Sequence, residues 1–586
     1  MLTKLTVRNF KRFADLDIEL GSPLVFVGPN NSGKTSAMQA LALWEVGVKR
    51  WNEKRAGGSA PARRPGVTVG RRDLVAVPVP HAKLLWHGQA VREQSRSQGR
   101  PSTSNVLIKV IVRGVAETGE WECGLEFDYA NEESFYCRPI RLSDGPTPER
   151  MPVPSDAAAV QFAYLPPMSG LAAAETRLDH GAVNVRVGEG RTAEVLRNLC
   201  YRVREERPDD WTTLTQHIAA NFGVELDEPR YVTERGEIAM SYREGGSLLD
   251  LSCGGRGLQQ TMLLLSYMYA NPGAVLLLDE PDAHLETLRQ RQTYRLISEV
   301  ARESGSQIIA ASHSEVVLGE AAGKDTVIAF VGRPHRIDDR GSQVLKSLKE
   351  IGFDHYLQAE QTGWVLYLEG STDLAVLQSF ARRLGHTRAA NALERPFVHY
   401  VGNEPSRARA HFHGLREATP TLRGVALFDR LKADRSENDP LVHLEWRRRE
   451  IENYLCSEKT LKAYAGAAGD WSGPLDLYDR QQKIADAIEE VQAAMETLGK
   501  GSPWSHDAKV SDDFLTPLFN VYFEKLQIPN LMNKRNFHEL AEFVPEDEID
   551  PEIGEKLDSI ADAAESARRP DATDGFKELE AEKLDP

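Results

Sequence analysis

Cysteine is scarce in this chain: five residues in 586, namely Cys123, Cys137, Cys200, Cys253 and Cys456. None stands in a C-x-x-C pair. That argues against a cysteine metal site and a disulfide framework, and points to a reducing, cytoplasmic setting. No run approaches the ~18 apolar residues a membrane span requires. The opening MLTKLTVRNFKRF has no apolar core behind its charges, so a secretory leader is not expected. Positive charge is in deficit: 71 Lys and Arg face 87 Asp and Glu, a net charge of −16. Coating nucleic acid by bulk attraction is disfavoured, although a local basic groove is still compatible with that balance. There is no internal repeat and no long heptad stretch, which excludes a coiled-coil arm.

What remains has the composition of an ordinary globular protein, 41% hydrophobic and 27% charged, and a length that calls for two or three domains. The alternating runs in LTKLTVRNFKRFADLDIELGSPLVFVGPNN predict a hairpin feeding a buried strand. A helix follows from Lys34. Residues from about 50 to 104, rich in Arg, Pro, Gly and Ser, read as a basic insertion, partly loop. NVLIKVIVRGV and GEWECGLEFDYA predict an antiparallel pair. FAYLPPMSG ends a strand in a Pro-Pro turn, and a mostly helical stretch runs from about 190 to 222. Beyond it, strands alternate with helices, the mark of a mostly parallel sheet with crossovers. A second strand–helix pattern begins after about 355. In it, LEWRRREIENYLCSEKTLKAYAG reads as a charged helix. From about 475 the patterns are helical and end in an acidic tail.

The chemistry starts in VFVGPNNSGKTSAMQ. Gly28 to Thr35 form G-x-x-x-x-G-K-T, whose glycines let backbone N–H groups face phosphate. Lys34 supplies charge to the outer phosphates, Thr35 a hydroxyl for Mg²⁺, and Asn30, Asn31 and Ser36 complete the loop. VLLLDE puts Asp279 at a strand end, to hold Mg²⁺ through water, with Glu280 to polarise the attacking water. His313, after IIAAS, is placed to sense the γ-phosphate. LSCGG precedes VLLLDE by about twenty residues. In this order the set predicts an ATPase. It resembles the ABC-type heads of the SMC, RecF and Rad50 group. The resemblance implies a homodimer or higher homo-oligomer through the heads, in which Ser252 and Gly254 cap the partner's nucleotide, with Cys253 where glycine is usual. It also implies that Arg12, in RNFKRF, approaches the nucleotide.

A second set is acidic. Glu369 ends the apolar strand VLYL, and Asp373 lies one helical turn on. Asp429 ends VALF, and Glu450 and Glu452 stand in RRREIENYL. Carboxylates at adjacent strand ends converge on one crevice. Hard oxygen donors there suit Mg²⁺ or Mn²⁺ and hydrolysis at phosphate. Arg447, Arg448 and Arg449 are candidate phosphodiester contacts.

YLEGSTD and VALFDR resemble the first and second motifs of the Toprim fold. An ABC-type head followed by Toprim is similar to the OLD (overcoming lysogenization defect) nucleases, relatives of the Gabija nuclease subunit. The resemblance implies an α/β protein in three parts: an ATPase domain over 1–355, a Toprim-like domain over 356–474, and a helical region over 475–586. It implies an ATP-regulated, metal-dependent endonuclease in phage defence. Glu280, Glu369, Asp429 and Glu450 would be catalytic. Glu369, Asp373, Asp429, Glu450 and Glu452 would be metal ligands, with Asp434 as a further candidate. Expected partners are DNA in preference to RNA, a second defence protein, and no membrane. One departure stands out: Leu431 occupies the second position of the usual D-x-D. It favours an alternative, an ATPase sensor with a degenerate Toprim that holds and releases a partner, as in PARIS-type defence ATPases. A RecF-like repair role is a third reading.

Overall fold

The computed structural model describes residues 1–55, 66–97, 100–143, 149–322, 324–337, 351–417, 419–430, 440–467 and 477–567. Leu431 and Asp434 do not lie among the described residues, and neither does the acidic tail from 568 on. The chain divides into two compact units, Met1–Phe353 and Asp354–Pro586.

In the first unit the predicted hairpin pairs Leu2–Phe10 with Phe13–Glu19. Leu5 and Val7 are buried two residues apart, as period-two patterning requires; a register shift at Leu2/Lys4 and the positive φ of Asn9 bring Leu2 and Phe10 to the same buried side. It extends into a six-stranded antiparallel sheet through Ile108–Ala116, Gly119–Asn131, Ser134–Pro139 and Val67–Gly70. The pair expected from NVLIKVIVRGV and GEWECGLEFDYA is its centre. A second sheet runs in the order Phe162–Leu165, Val275–Asp279, Gln307–Ser312, Leu24–Val27, Thr326–Ala329 and His335–Arg336. Its first five strands are parallel, joined by crossovers. The helix Lys34–Arg55 shares one core with both sheets: Met38, Leu41 and Trp44 pack with Val110 and Phe127 of one and with Phe26 and Ile309 of the other. The insertion contributes more than loop. Leu74, Val77, Leu85 and Trp86 are buried, and Arg92–Ser97 pairs with Arg100–Asn105.

The second unit holds a four-stranded parallel sheet in the order Val398–Tyr400, Trp364–Leu368, Arg423–Phe428, Leu441–Glu445. Leu366, Leu368, Val425 and Leu427 share a core with helix Ser371–Arg383 and with Phe514, Phe519, Leu540 and Ile560 of the C-terminal helices. The expected charged helix from Leu444 is not there. Leu444 and Glu445 join the sheet, a short 3₁₀ turn covers Ile451–Tyr454, and the α-helix starts at Glu458. Two interactions outweigh helical propensity. Strand pairing claims the first residues, and Ser457 caps the helix by accepting from Thr460 N at 3.2 Å.

Candidate functional site

The strand Leu24–Val27 is buried throughout because it has neighbours on both edges. The nucleotide loop leaves its end. Gly28 has φ +150°, and a Cβ there would stand 2.8 Å from the Phe330 carbonyl oxygen, so only glycine fits. Gly33, at φ +108°, opens the helix. The loop walls a cavity of about 570 Å³ lined by Arg12, Asn30, Asn31, Ser32, Gly33, Lys34, Thr35, Ser36 and Glu280. Lys34 is buried, and its Nζ donates to the carbonyls of Gly28 and Pro29, each at 2.7 Å. Burial lowers its pKa, opposed by Glu280, Asp279 and Asp282. Ser32 Oγ is buried with no hydrogen-bond partner among the described residues. The Arg12 guanidinium donates to the Asn31 carbonyl.

Asp279 ends the strand Val275–Asp279. Thr35 Oγ1 donates to its Oδ1 and Tyr164 Oη to its Oδ2, both at 3.2 Å. Burial raises its pKa, against those two hydrogen bonds. Glu280 adopts φ +49°, a left-handed conformation that costs roughly 1–3 kcal/mol in a non-glycine residue. That backbone carries its side chain to the cavity wall. His313 Nδ1 lies 3.3 Å from Glu280 Oε1. The contact lowers the Glu280 pKa and raises that of His313.

Ser252 and Gly254 do not line this cavity. Ser252 is exposed in the 3₁₀ turn Leu251–Cys253, before helix Arg256–Ala270. Asp250 Oδ1 accepts from Ser252 N at 2.8 Å and Oγ at 2.6 Å, and is itself held by Arg197 at 3.0 Å. Arg197 is buried, and Glu175 accepts from its backbone N.

In the second unit, Glu369 and Asp429 follow the adjacent parallel strands Trp364–Leu368 and Arg423–Phe428. Asp373 turns back to accept from the backbone N of Glu369 at 3.0 Å and Gly370 at 3.3 Å, so it caps its helix. Glu450 and Glu452 are 5% and 6% exposed, which singles them out, since glutamate is rarely buried without a partner. Glu450 Oε1 accepts from Ser511 N at 2.6 Å. The Asp429 carboxyl is pushed up to about 9, by burial first and then by Glu369, Glu452, Asp373 and Glu450. Glu452 rises to about 7 and Asp373 to about 6, mainly through burial. These mutual effects place the five acids in one electrostatic neighbourhood. The three consecutive arginines are engaged elsewhere: Arg447 with Glu555 at 2.8 Å, Arg448 with Asp550 at 2.9 Å, and Arg449 with the Asp507 carbonyl at 3.1 Å. The helix expected to carry them does not form.

Sequence reasoning passed over Tyr164, Arg197, Glu175 and Ser511. Tyr164 had a signal: it sits in the strand Phe162–Leu165, which ends at a Pro-Pro turn. The others act through contacts 22 to 61 residues away in sequence, which no local pattern announces.

Two protein families match the chain. Residues 1–45 match an AAA ATPase domain. Residues 217–319 match a family described as "AAA domain, putative AbiEii toxin, Type IV TA system". The first stretch holds the nucleotide loop; the second holds the Ser252 turn, Asp279, Glu280 and His313. The chain therefore carries an ATPase domain of the AAA kind. No curated protein matches it. Solved structures similar to it include an SMC head bound to the C-terminal winged-helix domain of ScpA, at 14% identity over 57% of this chain and 98% of that one, TM-score 0.35. The SMC head domain from Thermotoga maritima has 17% identity over 57% and 98%, TM-score 0.30. An SMC head with an extended coiled coil from Pyrococcus furiosus has 13% identity over 60% and 99%, TM-score 0.34. Among the described residues no helix is long and apolar enough to cross a membrane.

Proposed function

We propose that this chain is an ATP-regulated, metal-dependent endonuclease of the OLD type, acting on DNA in defence against phage. The observation that carries the reading is the gathering of Glu369, Asp373, Asp429, Glu450 and Glu452 beside a parallel sheet, in one chain with an AAA-type ATPase domain. Partly buried carboxylates that raise one another's pKa are costly unless a cation offsets them. Their oxygens fit Mg²⁺ or Mn²⁺. A divalent ion held by Glu369 and Asp429 would supply an activated water and charge stabilisation for phosphodiester hydrolysis. Glu450, fixed by the Ser511 N–H, and Glu452 complete the acidic wall. Asp373 holds the backbone after Glu369 in place. The exposed Arg409, on helix Pro405–Arg416, is available to phosphate oxygens.

The first unit fits ATP in the same sense. Its loop has an orphaned Ser32 hydroxyl and a lysine whose Nζ rests on loop carbonyls. With ATP bound, Lys34 would pair with the phosphates, Thr35 and Asp279 would hold Mg²⁺, and Glu280 would take the proton of the attacking water. Ser252 and Gly254, which do not line the loop's own cavity, serve a second copy of the chain across a head-to-head dimer. The toxin named in the second family's description supports a defence setting, as does the resemblance to OLD and Gabija nucleases. Leu431 favours the second reading, an ATPase sensor whose acidic domain holds a partner.

Cleavage of supercoiled plasmid, linear duplex and tRNA, with Mg²⁺ or Mn²⁺ and with or without ATP, decides between them. The nuclease reading expects plasmid cleavage that Glu369→Ala abolishes. Intact ATP hydrolysis with no cleavage of any substrate would establish the sensor reading instead.

A further inference from the structure

The parallel sheet of the second unit has a second face. Leu366 and Leu368 point into the core beneath helix Ser371–Arg383. Side chains alternate along a strand, so Tyr367 and its register partner His399 point the other way. There helix Pro405–Arg416 delivers His411, and helix Phe353–Thr362 delivers His355. The ligand nitrogens of the three histidines all lie within 4.8 Å of one another. His355 Nδ1 is 2.9 Å from His411 Nε2, and His411 Nδ1 is 2.9 Å from Tyr367 Oη. The His399 ring stacks on His411, centroids 3.9 Å apart and planes 10° apart. His355 stands across both rings, at 69° and 72°.

A polar plug in the core would account for the chain Tyr367–His411–His355. It does not account for His399, whose ring nitrogens make no hydrogen bond among the described residues. We propose that His355, His399 and His411 bind one transition-metal ion of the Zn²⁺ class, tying the edge strand Val398–Tyr400 to the two helices behind it.

Imidazole suits zinc and its first-row neighbours, and three protein ligands leave a fourth position for water. His411 would ligate through Nε2, because Tyr367 Oη occupies its Nδ1. A partner on the far nitrogen is what fixes a ligating ring's tautomer and direction. His355 presents Nδ1. Around zinc, with Zn–N about 2.0–2.1 Å, ligand nitrogens stand roughly 3.3 Å apart. Stacked rings do not aim their lone pairs at one point, so one of them must turn. His399 is the ring with room to do so, being partly exposed on a three-residue edge strand. This site shares no residue with the carboxylates and selects a softer ion than they do.

The test uses full-length protein, stripped with a chelator, dialysed, and titrated with Zn²⁺ or Co²⁺ in excess Mg²⁺. The Mg²⁺ fills the carboxylate and nucleotide sites. One tight equivalent per chain is expected, with Co²⁺ producing the visible absorption of a four-coordinate site. His399→Asn and His355→Asn should each abolish both signals in protein of unchanged circular dichroism. Tyr367→Phe, which keeps every ligand, should weaken binding about tenfold, and Asp429→Asn should leave binding intact. The proposal is overturned if wild type binds no tight equivalent under Mg²⁺, if the equivalent survives either histidine substitution, or if Asp429→Asn removes it. None of these outcomes depends on whether the protein cleaves DNA.

Discussion

The two units build their sites in different ways. In the first, most of the cavity wall comes from one continuous stretch, Asn30 to Ser36, with Arg12 and Glu280 added. In the second, five acids come from three separated segments and are brought together by strand order and by a 3₁₀ turn. A site carried by a loop is specified by local backbone chemistry and leaves a readable motif. A site carried by strand ends is specified by topology, and its residues look ordinary one at a time.

The sharpest way to break the comparison is at the loop. Lys34→Ala should reduce ATP binding at least about 100-fold, measured by equilibrium titration, because Lys34 is the buried cation of the cavity and one charge-assisted contact in a desolvated site is worth ~3 kcal/mol. Glu280→Gln should slow hydrolysis about 10²–10⁴-fold, the range for a general base, while ATP stays bound. Nucleotide retention on a filter, beside steady-state hydrolysis, checks both parts.

In the second unit the effect to expect is on stability. Asp429 titrates higher in the folded chain than unfolded, so the folded state binds the extra proton between about pH 4 and about 9. Its contribution is favourable at low pH and is lost as pH rises through that window. In EDTA, Asp429→Asn should therefore raise the melting temperature at pH 8 by about 3 °C and change it little at pH 4.5. Mg²⁺ should reverse the order at pH 8, because the ion then favours the charged wild type. Calorimetry at the two pH values checks the sign. The smallest effect belongs to Tyr164→Phe. Losing the Tyr164 hydrogen bond to the Asp279 carboxylate costs about 1.5 kcal/mol, the low end for a charged acceptor, so hydrolysis should fall about tenfold, with the shortfall concentrated at low Mg²⁺.

Legibility in the sequence follows the same division. VFVGPNNSGKT and VLLLDE announce their strands and turns because buried parallel strands are continuous apolar runs ending in functional residues. The strand-end positions of Glu369 and Asp429 were legible for that reason too. The helix predicted across Glu450 was not found, since pairing of Leu441–Glu445 with Arg423–Phe428 is a long-range interaction that charge patterning does not reveal. Tyr164 and Arg197 act through partners far along the chain. The histidine cluster was invisible because His355, His399 and His411 follow no ligand spacing and meet only across the sheet.

The central claim is that one chain carries two separate chemistries, and one paired assay tests it most directly: ATP hydrolysis and plasmid cleavage measured on the same preparations of wild type, Lys34→Ala and Asp429→Ala. The account predicts that Asp429→Ala hydrolyses ATP at the wild-type rate and cuts nothing, while Lys34→Ala hydrolyses no ATP. Cleavage that persists in Asp429→Ala, or ATP hydrolysis that disappears with it, would contradict the account.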